Sequence, residues 1–199
     1  LLHDGMDFLA VAQRLGTPLM VKPANEGSSI GMSKVRRAAD LEAAYRLAAK
    51  HDSVVIAEQF IAGPEFTAAI LGRTPLPLIR LETPRDFYDY EAKYLDEGSK
   101  TVIPANLPAA LVTEVQRLSI EAFRAIDAAG LARVDFLVRR DTSAIYLNEI
   151  NTMPGFTTIS MYSKMWEASG LSYTALVDRL ITLAMERHGD KQRLRISAL

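Results

Sequence analysis

Two stretches of sequence decide the fold: ARVDFLV at residues 132–138 and IYLNEIN at residues 145–151. Both are rich in apolar, β-branched and aromatic side chains, which is typical of strands. The residues between them, RRDTS at 139–143, are polar, as expected of a hairpin loop. The sequence therefore predicts a β-hairpin, in which two antiparallel strands are joined by a short loop.

Acidic and amide side chains gather on one face of this predicted hairpin. Side chains alternate between the faces of a strand, so Arg133 shares a face with Asp135, and Glu149 shares a face with Asn151. A loop centred near Asp141 places Asp135 opposite Glu149 and Arg133 opposite Asn151. Directly opposed carboxylates repel each other, which makes this pair a poor choice for a purely structural sheet. A solvated surface hairpin is the alternative interpretation.

A divalent cation removes the repulsion between the two carboxylates. Mg²⁺ prefers oxygen ligands, and proteins commonly hold it with one or two carboxylates together with substrate phosphates. We therefore predict a metal site at Asp135, Glu149 and Asn151. The next residues, TMPGFTT at 152–158, favour a functional site, because a Pro-Gly turn after the strand presents backbone N–H groups that can receive an oxyanion.

The hairpin and the turn also resemble a known family. RVD at 133–135, followed by NEINTMPG at 148–155, strongly resembles the catalytic strands of ATP-grasp enzymes, and in particular those of the D-alanine-D-alanine ligases. The resemblance implies an α+β fold, in which two α+β lobes with mainly antiparallel sheets have the nucleotide cleft between them. It also implies that Arg133 and the Gly155 N–H contact the substrate and stabilise a tetrahedral oxyanion.

A loop rich in glycine and serine follows the first predicted strand. In KPANEGSSIGM at 22–32, the glycines permit close backbone approach, and consecutive N–H groups can form a concavity for anions. Residues 32–35 are predicted to return as a strand, so the loop forms a flap over a nucleotide; a plain turn is the alternative. The resemblance assigns Ser28 to the catalytic site as well. The predicted cofactor-binding residues are Lys22, Glu26, Gly27, Ser28 and Ser29.

The strand predicted at residues 54–59 is a candidate for adenine recognition. Its end supplies backbone groups for the edge of a base and apolar side chains for its face. A core strand that ends in a turn is the alternative. The resemblance to ATP-grasp ligases implies that the nucleotide contacts are Glu58, Gln59, Phe60, Ile61 and Glu65, the last as an acceptor from the ribose hydroxyls.

The stretch FYDYEAKY at residues 87–94 is the most diagnostic of the substrate, since it mixes aromatic and charged residues without a helix or strand period. It closely resembles the mobile loop of the D-alanine-D-alanine ligases. The resemblance implies that Lys93 reaches the γ-phosphate of ATP and that Tyr94 shapes an acceptor site for an amine. It further implies that Ser160 and Met161 bind the carboxylate of the second D-alanine.

Composition limits the class of protein. The 199 residues carry a formal net charge of −1, which gives no general attraction to nucleic acid or to anionic membranes. No apolar run approaches the roughly 20 residues of a membrane span, and the absence of cysteine is compatible with a reducing compartment. We expect a cytoplasmic protein with neither a nucleic-acid nor a membrane partner. Because the chain lacks an initiator methionine, we expect it to be part of a longer protein. Separately, we expect the full-length protein to be a homodimer.

Periodicity and turn residues predict how the chain is organised. Gly63-Pro64 is the best boundary. We predict a central ATP-grasp lobe with the flap at residues 1–63 and a C-terminal lobe with the metal hairpin and the mobile loop at residues 64–199, without the N-terminal domain of the family. In addition to the hairpin, helices are predicted at 38–50, 109–128 and 173–187, and strands at 19–23, 54–59, 66–71 and 78–81.

The resemblance implies a ligase that joins two D-alanines through an acylphosphate, making D-alanyl-D-alanine for peptidoglycan synthesis. The implied cofactors are ATP and Mg²⁺ or Mn²⁺, with two metal ions, and the implied partners are ATP and two molecules of D-alanine. Two alternatives stay open. One is another ATP-grasp ligase that joins a different carboxylate to an amine, and the other is a non-catalytic nucleotide-binding fragment.

Overall fold

The computed structural model of the chain describes residues 1–72, 74–75, 79–82, 100–103, 105, 107–157 and 160–194. Contacts divide the chain into two compact units. The first unit contains Leu1–Ala62, and the second contains Gly63–Glu82 and Thr101–Leu199. The predicted α+β class is confirmed, since each unit combines helices with an antiparallel sheet.

The first unit is built on a three-stranded sheet. Strand β1 lies in its middle and pairs antiparallel with β2 on one side and with β3 on the other, which confirms the predicted return of the chain after the glycine-serine loop. The elements in chain order are α1 (Phe8–Leu15), β1 (Leu19–Pro23), β2 (Ser33–Val35), a 3₁₀ turn (Ala38–Asp40), α2 (Leu41–Ala48) and β3 (Val55–Gln59).

Burial alternates along β1 and so defines two faces of this sheet. Leu19, Val21 and Pro23 are buried, whereas Met20 and Lys22 are partly exposed. The buried face shares one hydrophobic core with apolar residues of α1 and α2. Because side chains alternate along a strand, Lys22 lies on the opposite face, away from this core.

Helix α1 has no counterpart among the predicted elements. Asp7 is its N-cap, and the Asp7 carboxylate accepts a hydrogen bond from the Ala10 backbone N–H at 3.0 Å. Val11 and Ala12 bury one side of the helix in the core. An Asp directly before an apolar segment is a start signal for a helix, so the local sequence already carried the information.

The second unit is built on a six-stranded sheet with the order β7-β6-β4-β8-β9, in which β5 pairs with β4. Strand β4 is flanked by β6 and β8, which both run antiparallel to it. The predicted hairpin is β8 and β9. The elements are β4 (Glu65–Leu71), β5 (Thr74–Pro75), β6 (Ile79–Glu82), β7 (Lys100–Val102), α3 (Ala109–Ala125), β8 (Leu131–Val138), β9 (Ile145–Asn151), α4 (Met161–Ala168) and α5 (Tyr173–Arg193).

Strands β4 and β8 form the buried centre of this unit. Every residue of β4 from Phe66 to Leu71 is buried. Helix α3 contributes Val115 and Phe123 to the hydrophobic core that it shares with these strands. A strand buried on both faces has no water to satisfy a polar side chain, so any such side chain needs a partner within the protein.

Three helices end at positions that differ from those predicted. Helix α2 ends at Ala48, two residues before its predicted end. Helix α3 ends at Ala125, three residues early, because Asp127 has a positive φ of 49° and leaves the helical conformation. Helix α5 continues to Arg193, beyond the predicted end at residue 187. The apolar period marks the buried face of a helix. It therefore ends where burial ends, although the helix itself continues through an exposed, polar last turn. Within the part of the chain that the structure describes, no helix combines the length and apolarity needed to cross a membrane.

Candidate active site

Strands β8 and β9 place the predicted metal ligands on one face of the hairpin. Asp135 pairs with Glu149, and Arg133 pairs with Asn151, so the predicted register is confirmed. Directly paired residues of an antiparallel sheet project to the same face. The two carboxylates, the carboxamide and the guanidinium therefore form one cluster.

A β-bulge sets this register. Phe136 pairs with Leu147, whereas the next pair is Asp135 with Glu149, so Asn148 is the extra residue of β9. Without the extra residue, Asp135 would lie opposite Asn148, and Glu149 would project from the other face of the sheet. The bulge thus brings Glu149 into the cluster. The loop alone would pair Asp135 with Asn148, so the predicted register is right because of the bulge and not because of the loop.

The Arg133 guanidinium lies between the two opposed carboxylates. Its Nη2 donates hydrogen bonds to Asp135 Oδ2 at 2.7 Å and to Glu149 Oε1 at 3.2 Å. Its Nε donates to Asp135 Oδ1 and Oδ2 at 3.1 and 3.0 Å. Asn151 Nδ2 also donates to Glu149 Oε1, at 3.3 Å. The sequence argument assigned the relief of carboxylate repulsion to a metal ion alone, and this is corrected: a residue of the chain already supplies a positive charge there.

Burial distinguishes the two carboxylates. The side chain of Asp135 is 3% exposed, whereas that of Glu149 is 47% exposed. The buried Thr67 hydroxyl donates a hydrogen bond to Asp135 Oδ1 at 2.9 Å. Burial by itself lowers the pKa of Arg133, but the charges of Asp135 and Glu149 and the hydrogen bonds to Asp135 raise that pKa above its usual value. Arg133 therefore stays charged at any physiological pH.

The chemistry of this donor set is that of a small divalent-cation site. Asp135, Glu149 and Asn151 offer carboxylate and carboxamide oxygens, which suit Mg²⁺ or Mn²⁺. Among the described residues, no set of three or more histidine, cysteine, aspartate or glutamate side chains is placed to hold a metal ion. The side chains alone thus provide an incomplete ligand shell, as is usual for Mg²⁺ that also binds substrate phosphates.

The Pro-Gly turn after β9 carries the predicted oxyanion donor. Gly155 lies between β9 and α4, and a Cβ atom at this position would lie 3.3 Å from Ser160 Oγ. Ser160 is the N-cap residue of α4, Met161 is the first residue of that helix, and the Thr157 N–H donates to Ser160 Oγ at 3.0 Å. The structure therefore brings Gly155 close to Ser160, while the roles of both toward a substrate stay predictions.

Aromatic side chains anchor this turn to the sheet. The Phe156 ring contacts Tyr162 and Tyr173, with ring centroids 6.0 and 5.4 Å apart. The Tyr162 hydroxyl donates a hydrogen bond of 2.7 Å to the Ile70 carbonyl, which joins α4 to β4. Burial raises the pKa of the Tyr162 hydroxyl above its ordinary value. The segment that carries Gly155 is thus held at a fixed place in the second unit.

Two predicted nucleotide contacts in the first unit form an ion pair. Lys22 Nζ lies 2.7 Å from Glu58 Oε2. The pairing of Met20 with Glu58 puts Glu58 on the face of the sheet that also carries Lys22. The side chain of Lys22 is 14% exposed and that of Glu58 is 42% exposed. The ion pair holds the lysine on the polar face of the sheet.

The glycine-serine loop between β1 and β2 contains a tight turn. Ser28 and Ser29 have φ angles of 54° and 60°, and the Ile30 N–H donates to the Gly27 carbonyl at 3.1 Å. Ser28 and Ser29 are thus the two central residues of a turn that the hydrogen bond between Gly27 and Ile30 closes. Positive φ angles at both central residues characterise a type I′ turn, whose twist suits a β-hairpin. Residues other than glycine rarely adopt these angles, and such strain concentrates at functional sites.

Two residues that follow α2 hold the base of this loop. Asp52 Oδ2 accepts hydrogen bonds of 2.8 Å from both the backbone N–H and the side-chain Nδ2 of Asn25. Gly31 has a φ of 71°, and a Cβ atom there would lie 2.7 Å from His51 Cδ2. Glycine alone meets both conditions without strain. Sequence reasoning missed these contacts, because no local pattern shows that residues 25 and 31 meet residues 51 and 52.

The predicted adenine contacts, residues 58–61, are the last two residues of β3 and the two that follow it. The Phe60 N–H donates to the Pro18 carbonyl at 3.2 Å, so this donor is already engaged within the unit. The Lys34 ammonium lies 3.6 Å from the centroid of the Phe60 ring, a cation-π contact that was not among the predictions. Ile61 is 8% exposed.

The remaining predicted contacts are Glu65, Lys93 and Tyr94. Glu65 is the first residue of β4 and belongs to the second unit, where its charge contributes to raising the pKa of Arg133. Lys93 and Tyr94 lie outside the described residues. Sequence reasoning missed Thr67, whose buried hydroxyl donates a hydrogen bond to Asp135. Its signal was weak but present, since it is the one polar side chain in FTAAIL at 66–71.

Comparisons of sequence agree on the family. The family described as D-ala D-ala ligase C-terminus matches residues 3–182. The D-alanine–D-alanine ligase of Solibacter usitatus is 46% identical over 188 residues, which cover 93% of this chain and 58% of that relative. The chain thus spans little more than half the length of the curated relatives it matches.

Comparisons of structure agree as well. The D-alanine–D-alanine ligase of Bacillus anthracis, solved in complex with ATP, has a TM-score of 0.79 and 30% identity over 94% of this chain and 60% of its own. The VanG D-Ala:D-Ser ligase of Enterococcus faecalis has a TM-score of 0.78 and 36% identity over 87% of this chain and 51% of its own. The resemblance and the ATP-grasp fold inferred from sequence are confirmed, and the chain belongs to the D-ala D-ala ligase C-terminus family.

Proposed function

We propose that this chain is the part of an ATP-dependent ligase that binds ATP and joins two molecules of D-alanine. The observation that carries the proposal is the cluster of Arg133, Asp135, Glu149 and Asn151 on one face of the hairpin. Because Arg133 already offsets the repulsion between the carboxylates, the support comes from the composition of the cluster, which combines two carboxylates, a carboxamide and a guanidinium on one face. This combination is the equipment that phosphoryl transfer to a carboxylate requires.

The second unit would carry the reacting groups. ATP phosphorylates the carboxylate of the first D-alanine, which yields ADP and an acylphosphate, and the amine of the second D-alanine then displaces phosphate. Positioning and charge stabilisation supply nearly all of such catalysis. Arg133, held by two carboxylates, and the Gly155 N–H would stabilise the tetrahedral oxyanion, while Ser160 and Met161 would bind the carboxylate of the second D-alanine.

Asp135, Glu149 and Asn151 would hold Mg²⁺ or Mn²⁺, with one or two ions. When bound, the metal neutralises charge on the phosphate oxygens of ATP. The buried Asp135 offers a fixed ligand and the half-exposed Glu149 an adaptable one, which supports this assignment. Glu65 lies on the neighbouring strand β4 and would accept hydrogen bonds from the ribose.

The first unit would bind the rest of the nucleotide, as the central lobe of the fold. Lys22, fixed by Glu58, would contact the phosphates. The strained turn at Ser28 and Ser29 would present backbone N–H groups to the same anion. The other proposed nucleotide contacts are Glu26, Gly27, Gln59, Phe60, Ile61 and Lys93. Ser28 and Tyr94 would contact D-alanine.

A matched pair of variants in the full-length protein tests the proposal. Glu149→Gln removes the charge of a proposed metal ligand, whereas Glu186→Gln removes that of another half-exposed glutamate, which is paired with Arg179 in α5. Phosphate release that depends on D-alanine, and the dipeptide itself, would be measured with Mg-ATP. We expect loss of at least ~100-fold for Glu149→Gln only, on the scale seen when charge stabilisation of a transition state is lost. Wild-type protein without D-alanine-dependent phosphate release would refute the proposal.

A different acceptor amino acid is the second candidate. It is favoured by the likeness to the VanG D-Ala:D-Ser ligase at 36% identity. Competition between D-alanine and D-serine as the second substrate, followed by mass spectrometry of the dipeptides, separates the two functions.

The proposal also includes a cytoplasmic location, which the use of ATP supports and cell fractionation tests. It further includes a homodimeric full-length protein, which light scattering tests.

A further inference from the structure

Thr67 occupies an unusual place for a hydroxyl. It lies in the middle of β4, where it pairs with Ile79 of β6 on one side and with Asp135 of β8 on the other. Its exposure is 0%. A buried hydroxyl costs free energy unless it is hydrogen-bonded, and valine has nearly the same shape without that cost. The hydroxyl therefore calls for an explanation other than packing.

The hydroxyl has one charged partner. Thr67 Oγ1 lies 2.9 Å from Asp135 Oδ1. An ionised carboxylate can only accept hydrogen bonds, so the threonine donates. Such charge-assisted hydrogen bonds are among the stronger ones in proteins. Threonine is also stiff about χ1, because it is β-branched, so the donor comes from a fixed direction.

The other hydrogen bonds of the Asp135 carboxylate are accepted mainly by Oδ2. Arg133 Nη2 donates to Oδ2 at 2.7 Å, and Arg133 Nε is shared between the two oxygens at 3.0 and 3.1 Å. Thr67 and Arg133 together determine the rotation of the carboxylate about its last bond. Glu149, by comparison, is half exposed and accepts from Arg133 and Asn151 at 3.2 and 3.3 Å.

We propose that Thr67 is a positioning residue for the divalent-cation site, fixing the Asp135 carboxylate through the hydrogen bond to Oδ1. The proposal rests on the proposed function, because it takes Asp135 to be a metal ligand. When a residue that hydrogen-bonds to a metal ligand and orients it is replaced, metal affinity commonly falls by about 10–100-fold. Loss of the hydroxyl should therefore weaken metal binding while the chain stays folded.

Thr67→Val and Thr67→Ser form the matched pair for the test, since the first removes the hydroxyl and the second keeps it. Mn²⁺ would be titrated into the full chain in the presence of a non-hydrolysable ATP analogue, and free Mn²⁺ would be measured by electron paramagnetic resonance. We expect Thr67→Val to raise the Mn²⁺ dissociation constant by about tenfold or more. Thr67→Ser should stay within about threefold of wild type, as its hydroxyl can restore the bond.

Asp135→Asn distinguishes a failure of the proposed role of Thr67 from a failure of the proposed metal site. If this variant loses Mn²⁺ binding while Thr67→Val binds as wild type does, the role of Thr67 is overturned and the metal site stands. If Asp135→Asn leaves Mn²⁺ binding unchanged, the metal site is overturned, and the role of Thr67 with it. Equal losses in Thr67→Val and Thr67→Ser would also overturn the proposal, since packing would then explain both. Should Thr67→Val not fold, Thr67→Ala takes its place against Thr67→Ser.

Discussion

Replacing Asp135 with alanine should destabilise the second unit far more than replacing Glu149 with alanine. Both residues are proposed ligands of the same metal, so activity alone would not distinguish them. Their surroundings differ, because the Asp135 side chain is 3% exposed and that of Glu149 is 47% exposed. Asp135 also accepts hydrogen bonds from the buried Thr67 hydroxyl and from Arg133.

The size of the effect follows from what each substitution leaves behind. Without Asp135, the Thr67 hydroxyl loses its partner and Arg133, 17% exposed, retains Glu149 at 3.2 Å. Breaking a buried ion pair costs about 3–5 kcal/mol, and because Arg133 retains one contact we expect about 3 kcal/mol. Without Glu149, Arg133 keeps its Asp135 contacts, and the loss of a half-exposed partner should cost about 0–1 kcal/mol.

The single tryptophan of the chain provides the assay. Trp166 lies in the second unit and is 5% exposed, so its fluorescence reports the unfolding of that unit. In thermal unfolding, Asp135→Ala should lower the midpoint by about 6–12 °C and Glu149→Ala by less than about 4 °C. Asp135→Asn, which keeps a hydrogen-bond acceptor for Thr67, should lie between them. Equal and small shifts in both alanine variants would refute the reasoning, since Asp135 would then contribute no more to stability than a surface carboxylate.

Three further predictions concern the flap, the turn and the acceptor. Gly31→Ala should destabilise the first unit by about 1–3 kcal/mol in chemical denaturation followed by circular dichroism, because φ is 71° and a Cβ would lie 2.7 Å from a histidine ring; Gly27→Ala, with open space, is the control. Burial raises the pKa of Tyr162, so the stability contributed by its neutral hydroxyl is present below about pH 10 and lost as pH rises through the folded-state pKa. Tyr162→Phe should flatten that alkaline loss in Trp166 fluorescence, and an unchanged slope would contradict this. Tyr94 is proposed to shape an acceptor site for an amine, and D-lactate presents a hydroxyl group where D-alanine presents an amine. In the full-length protein, Tyr94→Phe should therefore change the ratio of D-alanine to D-lactate incorporation more than it changes ATP affinity; a dominant effect on ATP would remove Tyr94 from the acceptor site.

Local patterns predicted much of the fold. Short runs of apolar and β-branched residues located β1, β3, β4 and the hairpin strands, and the alternation of faces along a strand predicted which side chains of the hairpin lie together. Periodicity also located α3 and α5, but not their last turns, since an exposed turn or a residue with positive φ leaves no apolar signal. Helix α1 shows the converse, in which a capping Asp7 and a short apolar run predict a helix that was overlooked.

The sequence by itself determined the family, the α+β class and the set of oxygen donors on the hairpin, because these depend on residue identity and on the alternation of a strand. Only the tertiary structure decided that Asn148 is an extra residue, that Arg133 lies between the carboxylates and that Thr67 of a neighbouring strand holds Asp135. These features depend on the pairing of segments far apart in the chain. Pairing is fixed by the packing of the whole sheet, which no local pattern of residues records.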